Sequence, residues 1–346
     1  MKVILAGYQS VGLIHGGPLT QILESARHLG REGVEAELLD PWKPLRRDSA
    51  DLIHLFSAGI GTYHLAREIH QLGMPLVVSP IMFSRHSPAF LRSGLRAGRL
   101  LERIGPGVWS DYGLASDICA WARMVVPNTQ AEADLLVEGL GVPREKIRIV
   151  PNGVDARFRH GDPDVFRRTF GVEKFILNVG HIGPGRKNVL ALIRALADID
   201  IPAVLIGRVT AGADGEACVR EAARHEHIRL LGPIPNDSPL LASAYAACEV
   251  FALPSQYETP GIAALEAALA GAKIVITDRG GTREYFADLA TYVDHRSVDS
   301  IRRGLRKALA APRDVRLQER ISQSFLWEHV AARLAAVYRE LAGDGR

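Results

Sequence analysis

Two carboxylates eight residues apart, Glu258 and Glu266, bracket a stretch of chain suited to holding an anion. The stretch reads Pro254-Ser255-Gln256-Tyr257-Glu258-Thr259-Pro260-Gly261-Ile262-Ala263-Ala264-Leu265-Glu266. It follows a short apolar run, Val250–Leu253, with the length and composition of a buried strand, and it opens a helix rich in Ala and Leu. Thr259 suits an N-cap and Pro260 the first helical position, where a missing N–H costs nothing. The N–H groups of Gly261, Ile262 and Ala263 then project from the positive end of a helix, and Gly261 lets a ligand approach the backbone closely. Either glutamate alone is accounted for by a helix with one acid near its start and another facing water. Together they say more. Carboxylates accept hydrogen bonds from hydroxyls while the helix tip attracts negative charge, which describes a sugar joined to a nucleoside diphosphate.

A second cluster follows the strand ending at Gly180. Gly180-His181-Ile182-Gly183-Pro184-Gly185-Arg186-Lys187 leads into a helix starting near Asn188. Two cations among glycines are what a diphosphate leaving group needs where no metal is present. Only seven of the 42 Lys and Arg residues are lysines, which makes Lys187 mildly pointed, although an ordinary basic surface turn has the same letters. Asp198-Ile199-Asp200 has the spacing of a metal clamp but precedes the strand Ala203–Ile206, the wrong end of a parallel sheet for ligands. We predict no metal.

The elements that must position these groups alternate strand and helix throughout, which predicts parallel sheets of βαβ units. The strands predicted in the first half are Val3–Ala6, Glu35–Leu39, Leu52–Phe56, Leu76–Ser79, Met124–Pro127 and Ile147–Val150. Those of the second half are Phe175–Val179, Ala203–Ile206, Ile228–Leu231, Val250–Leu253 and Lys273–Thr277. The turn-rich Pro151-Asn152-Gly153-Val154-Asp155 separates the halves. A chain of 346 residues has room for two cores. Net charge of +3 is too mild to argue for nucleic acid, and Cys119, Cys218 and Cys248 have no metal-ligand spacing and read as reduced and buried. No apolar run is long enough to span a bilayer, and Met1–Gly7 reads directly as a first strand and not as a signal peptide.

The loop from Gly7 to Gly17, ending His15-Gly16-Gly17-Pro18, lacks the Gly-x-Gly-x-x-Gly of a dinucleotide fold and by itself is a plain turn. His54 lies at a strand end, where active-site groups of α/β sheets collect, although a satisfied core or rim histidine is the commoner explanation. Residues 88–104 read as a helix with Arg92, Arg96, Arg99 and Arg103 in one stripe and Phe90, Leu101 and Ile104 on another side. A solvated basic face is the ordinary reading of that stripe; contact with an anionic acceptor or an anionic membrane is the functional one.

Glu258-x7-Glu266 at the end of a strand resembles the signature of retaining glycosyltransferases of the GT-B fold, family 4. Pro151–Asp155 resembles the junction motif of that family, Gly16-Gly17 its phosphate-facing loop, and Gly280-Gly281-Thr282-Arg283-Glu284 its Gly-Gly-x-x-Glu. The resemblance covers nearly the whole chain, with its specific motifs between residues 151 and 285. It implies two Rossmann-like parallel-sheet domains facing a cleft: 1–155 for the acceptor, 156–325 for the nucleotide sugar, and a helix at 326–346 crossing back to the first. It implies that Glu258 and the amides of Gly261, Ile262 and Ala263 hold the donor sugar and phosphate, and that Glu266 holds the ribose. Gly16, Gly17, His181, Gly232 and Ile234 are the further donor-binding candidates, the last two in a loop that cups the base through its backbone. The family's Arg falls at His181 here, so Lys187, with Arg186 as the substitute, is assigned to the departing diphosphate. Thr259-Pro260-Gly261 replaces the usual Gly-Phe-Gly and leaves the sugar open. No histidine follows Val78-Ser79, so His86 takes that place or no side-chain base is needed; His54, His86, Arg92 and Arg96 are the acceptor candidates.

The expected reaction moves a sugar from a UDP- or GDP-linked donor to a hydroxyl acceptor (a glycan, lipid-linked sugar or small molecule), with the departing phosphate taking the acceptor's proton. No cofactor is expected, and the expected location is cytoplasmic with peripheral membrane contact through 88–104. The alternatives are a nucleotide-sugar 2-epimerase of the same fold, separable by incubation with donor alone, and a nucleotide-sugar-binding protein without turnover.

Overall fold

The structure is a computed structural model and describes residues 1–13, 16–102 and 109–343. It divides into two units. Unit 1 comprises Met1–Asn152 together with Trp327–Arg346, and unit 2 is Gly153–Leu326.

Unit 1 holds the strands β1 (Lys2–Ala6), β2 (Glu35–Leu38), β3 (Leu52–Phe56), β4 (Leu76–Ser79) and β5 (Met124–Val125), in the order β2-β1-β3-β4-β5. Every pairing is parallel. Alternation along a strand sends successive side chains to opposite layers. Ile53 and Leu55 enter one core, while Leu52 and Phe56 enter the other. That second layer is closed by the helix Trp327–Gly343, whose Trp327, Val330, Leu334, Tyr338 and Leu341 recur at helical spacing and are buried. Arg31 pairs with Glu328 at 2.8 Å, and Arg148 Nε donates to Glu340 at 2.9 Å, fixing both ends of this helix to the unit.

Unit 2 holds β6 (Ile176–Val179), β7 (Ala203–Ile206), β8 (Ile228–Leu231), β9 (Val250–Leu253), β10 (Lys273–Thr277) and β11 (Thr291–Val293), in the order β11-β10-β9-β6-β7-β8 and all parallel. Phe251 and Leu253 face one core, Val250 and Ala252 the other. The chain leaves β6 toward β7 and β8 on one side and returns at β9 on the other. The gap between the carboxyl ends of β6 and β9 is therefore the topological switch point, where open α/β sheets form their ligand sites.

Two expectations need correction, one strand was not expected, and some expected residues lie outside those described. Residues 147–150 fall short of a strand: Ile147 makes a single parallel bridge to Val125, and Arg148 N and Val150 N donate to Val125 O and Pro127 O at 3.0 Å each without forming a regular ladder. The edge strand Thr291–Val293 escapes sequence reading because its three residues lack a distinctive pattern. The basic helix runs Pro88–Glu102; Arg103, Ile104 and the side chain of Leu101 lie outside the described residues, as does His15. The helix expected from Thr259 begins instead at Ile262. Gly261 is its N-cap, with a left-handed φ of 85°, and Thr259-Pro260, joined by a cis peptide, belongs to the preceding turn.

Candidate active site

The loops after β6 and β9 are laced together. Gln256 N donates to Arg186 O at 2.8 Å and Gln256 Nε2 to Gly185 O at 3.2 Å. Asn188 caps the helix Val189–Leu196 in a left-handed conformation, and its Nδ2 donates to Pro254 O at 2.9 Å and His295 O at 2.7 Å. One asparagine thus fixes the end of the basic loop to the loop that carries Glu258.

Glu258 is held from three sides. Its N–H donates to Arg279 O at 3.1 Å, and its carbonyl accepts from Gly281 N at 3.0 Å. Gly280 passes so close that a Cβ there would lie 2.1 Å from Glu258 O. The side chain is 7% exposed, and its Oε1 accepts from Lys187 Nζ at 2.7 Å, with Arg186 Nη1 at 3.5 Å. Burial pushes this carboxyl up, but Lys187 and then Arg186 outweigh burial and leave it below the ordinary value. Arg186 also lies over the Tyr257 ring, 5.4 Å from its centroid, and remains 41% exposed.

Glu266 sits one turn into the helix Ile262–Leu269 and is buried. Tyr245 OH donates to its Oε2 at 2.7 Å and Asn236 Nδ2 to its Oε1 at 2.8 Å. Arg157 donates to Asn236 O at 2.9 Å and to Asp155 Oδ2 at 3.1 Å. Burial raises the Glu266 carboxyl to about 7, against the opposing pull of the Tyr245 and Asn236 hydrogen bonds. Between them the two glutamates offer one ionised carboxylate beside cations and one poised near neutrality. The amides of Ile262 and Ala263, at the start of the same helix, have no intrahelical acceptor.

The structure therefore brings Lys187, Arg186, Glu258, Gly261, Ile262, Ala263 and Glu266 to the carboxyl end of one sheet. Half-buried His181 begins the same loop as Lys187, and Gly232 and Ile234 follow β8, with Ile234 packed on the core. Gly16 caps the helix Gly17–Leu29 in unit 1, and Gly17 is its first residue. The acceptor candidates fare differently. His54 is fully buried: Nδ1 shares a hydrogen bond with Tyr338 OH at 2.6 Å and Nε2 with Ser79 Oγ at 2.9 Å, and burial lowers its pKa to about 3. With both ring nitrogens engaged, it is a core residue and not an acceptor ligand. Arg92 is tied to the carbonyl of Glu138, Nε at 2.8 Å, so its charge serves helix packing. His86 and Arg96 are exposed, and His86 stacks on Phe90 at 4.7 Å.

Sequence reading missed Tyr245, Asn236, Arg157, Gln256 and Asn188. Asn236 stands just past the Gly232–Ile234 loop, whose position at a strand end is its one sequence signal; Tyr245 is a helix residue indistinguishable by pattern from core.

Two units built on all-parallel sheets, with a charged site at a strand-order switch, define the GT-B class, and solved structures agree. Sucrose-phosphate synthase from Thermosynechococcus elongatus matches with a TM-score of 0.77 at 18% identity, covering 99% of this chain and 100% of that one. HepE from Anabaena, solved with UDP and glucose, matches with a TM-score of 0.69 at 17% identity, covering 97% and 99%. Residues 166–324 match the model described as glycosyl transferases group 1, and residues 38–158 that of glycosyltransferase family 4. D-inositol 3-phosphate glycosyltransferase of Geodermatophilus obscurus is 31% identical over 346 residues, covering 91% of this chain and 74% of that protein. The chain belongs to the family 4 glycosyltransferases, enzymes that transfer a glycosyl group. The namesake proteins of Segniliparus rotundus, Nocardia farcinica and Rhodococcus opacus are 28%, 28% and 29% identical, and the matches span 63%, 57% and 54% of their lengths.

Proposed function

We propose that the protein transfers a sugar, with retention, from a nucleoside-diphosphate sugar to a hydroxyl acceptor and needs no metal to do so. The observation that carries this reading is the Lys187 Nζ–Glu258 Oε1 pair at 2.7 Å, placed at the switch point beside the start of the helix Ile262–Leu269. In this reading Lys187 and Arg186 meet the diphosphate as it departs, and the amides of Gly261, Ile262 and Ala263 add fixed dipoles where charge develops. Glu258, ionised because of those cations, orients the sugar hydroxyls. Glu266 accepts from the ribose with the capacity that Tyr245 and Asn236 leave free, since a carboxylate offers about four acceptor sites. The diphosphate oxygen that departs takes the proton of the attacking hydroxyl, so no side-chain nucleophile is required.

UDP is the favoured carrier, because HepE of the same fold is solved with UDP and with UDP-glucose. A hydroxyl of a cyclitol or sugar phosphate is the acceptor class that the names of the relatives suggest. A thermal-shift comparison of UDP and GDP tests the base, since a ligand at about 100 times its Kd stabilises by about 2.7 kcal/mol. Lys187→Ala is expected to lower kcat/KM about 100-fold or more, the usual cost of losing one preorganised donor. Turnover like that of the parent removes Lys187 from the site.

A further inference from the structure

The helix Pro88–Glu102 is turned the unusual way round. Its inner face, Leu91, Leu95 and Gly98, packs against unit 1: Leu91 is buried and Leu95 joins the core. Two of its arginines do not lead outward. Arg92 reaches the Glu138 carbonyl and Arg99 Nη2 reaches Ser116 Oγ at 3.4 Å, placing the basic stripe at the flank. The face opposite the core is Ala89, Ser93, Ala97 and Leu100, with Phe90 at one edge and Arg96 at the other, all exposed and at helical spacing. Phe90 and Leu100 are 61% and 59% exposed. A surface helix ordinarily shows charge on this side. Here the outermost side chains are apolar or small, arginines edge them, and no acidic residue occurs from Pro88 to Leu100.

We propose that this outer face docks on an anionic lipid bilayer, Phe90 and Leu100 entering the interface while Arg96 and Arg85 meet headgroup phosphates. An apolar strip edged by cations is the pattern of helices that lie in a membrane surface. Among the described residues no helix is long and apolar enough to cross a membrane, so docking by this face is peripheral. The lipid surface is favoured because a strip joining exposed apolar side chains to exposed arginines, with no acidic residue from Pro88 to Leu100, is complementary to an interface that is apolar inside and anionic outside. The contact is independent of the donor chemistry proposed above, and its test reads no turnover.

The test is sedimentation of the full chain with vesicles of phosphatidylcholine alone and of phosphatidylcholine mixed with phosphatidylglycerol. Binding is expected to the mixed vesicles only, and to weaken as salt rises. Arg85→Gln with Arg96→Gln is expected to cost about 30-fold in partitioning, at about fivefold for each cation near the surface. Phe90→Ser with Leu100→Ser is expected to cost about tenfold, with thermal unfolding little changed because both side chains are mostly exposed and Phe90 stacks only on exposed His86. Should the double variant unfold, each single substitution is measured, with about a threefold loss expected. Failure of the parent chain to bind mixed vesicles overturns the proposal, as does parent-like binding by the apolar variants. A doubled solution mass abolished by the same substitutions overturns it too, because a second copy then covers the face.

Discussion

Glu258 and Glu266 are alike in the sequence and opposite in the fold. Burial acts on both, but Glu258 has cations paired with its oxygens, whereas Glu266 is paired with a phenol and an amide and feels Arg157 only from farther off. Letters and spacing conveyed that two carboxylates flank a helix start. They could not convey this difference, because Tyr245 and Asn236 come from other elements. The consequence is measurable. With a folded value of about 7 against 4.5, Glu266 keeps its proton in the native chain while the unfolded chain has already released it. Unfolding is therefore favoured progressively as pH rises from about 4.5 to about 7, and the effect is constant above that. The parent is expected to lose on the order of 3 kcal/mol across this window through this one group. Glu266→Gln, which never ionises, is expected to remove that slope, whatever its effect on absolute stability. Chemical denaturation at several pH values checks it; identical slopes in parent and variant would show Glu266 to be ionised throughout. His54 teaches the same lesson: a strand-end histidine was legible, and only the packing of Tyr338 and Ser79 against it shows that nothing is left to bind an acceptor.

At the scale of elements, most strands of both sheets were readable because buried parallel strands are continuous apolar runs bounded by turns. The start of the helix after β9 was not. Thr259-Pro260 fits an N-cap and first turn as well as it fits a tight turn, and only the left-handed Gly261 and the contact of Gly280 with Glu258 decide for the turn. That contact gives a second prediction. Gly280 has φ of 93°, and an added Cβ would meet the Glu258 carbonyl at 2.1 Å, backbone against backbone. Gly280→Ala is expected to cost roughly 1–3 kcal/mol from strain alone and to lower kcat/KM by displacing Glu258. Gly232→Ala is the control, since a Cβ there meets nothing within 4 Å. Equal stability of the two variants, by thermal unfolding, would show that the turn yields at no cost.

At the scale of the whole molecule, the last helix determines which residues make up unit 1. Its apolar stripe, readable as Trp327, Val330, Leu334, Tyr338 and Leu341, states that the helix is buried but not against which of two sheets; the family resemblance supplied that assignment, and periodicity alone did not. In the structure the stripe completes a core with Leu5, Phe56, Val77 and Met124, residues that precede it by most of the chain. Removing the phenol ring of Tyr338 leaves a void in that layer and strips His54 Nδ1 of its partner, so both the cavity and the polar loss count against the variant. Tyr338→Ala is expected to cost about 3–5 kcal/mol. Hydrogen exchange locates the loss, because opening free energies differ between cooperative parts of one chain. Protection is expected to fall in β1, β3 and β4, the strands beneath the helix, by more than in β6 and β9. An equal fall in both sheets would mean that the chain opens as one cooperative body, and the division into two units would then describe its shape without describing its stability.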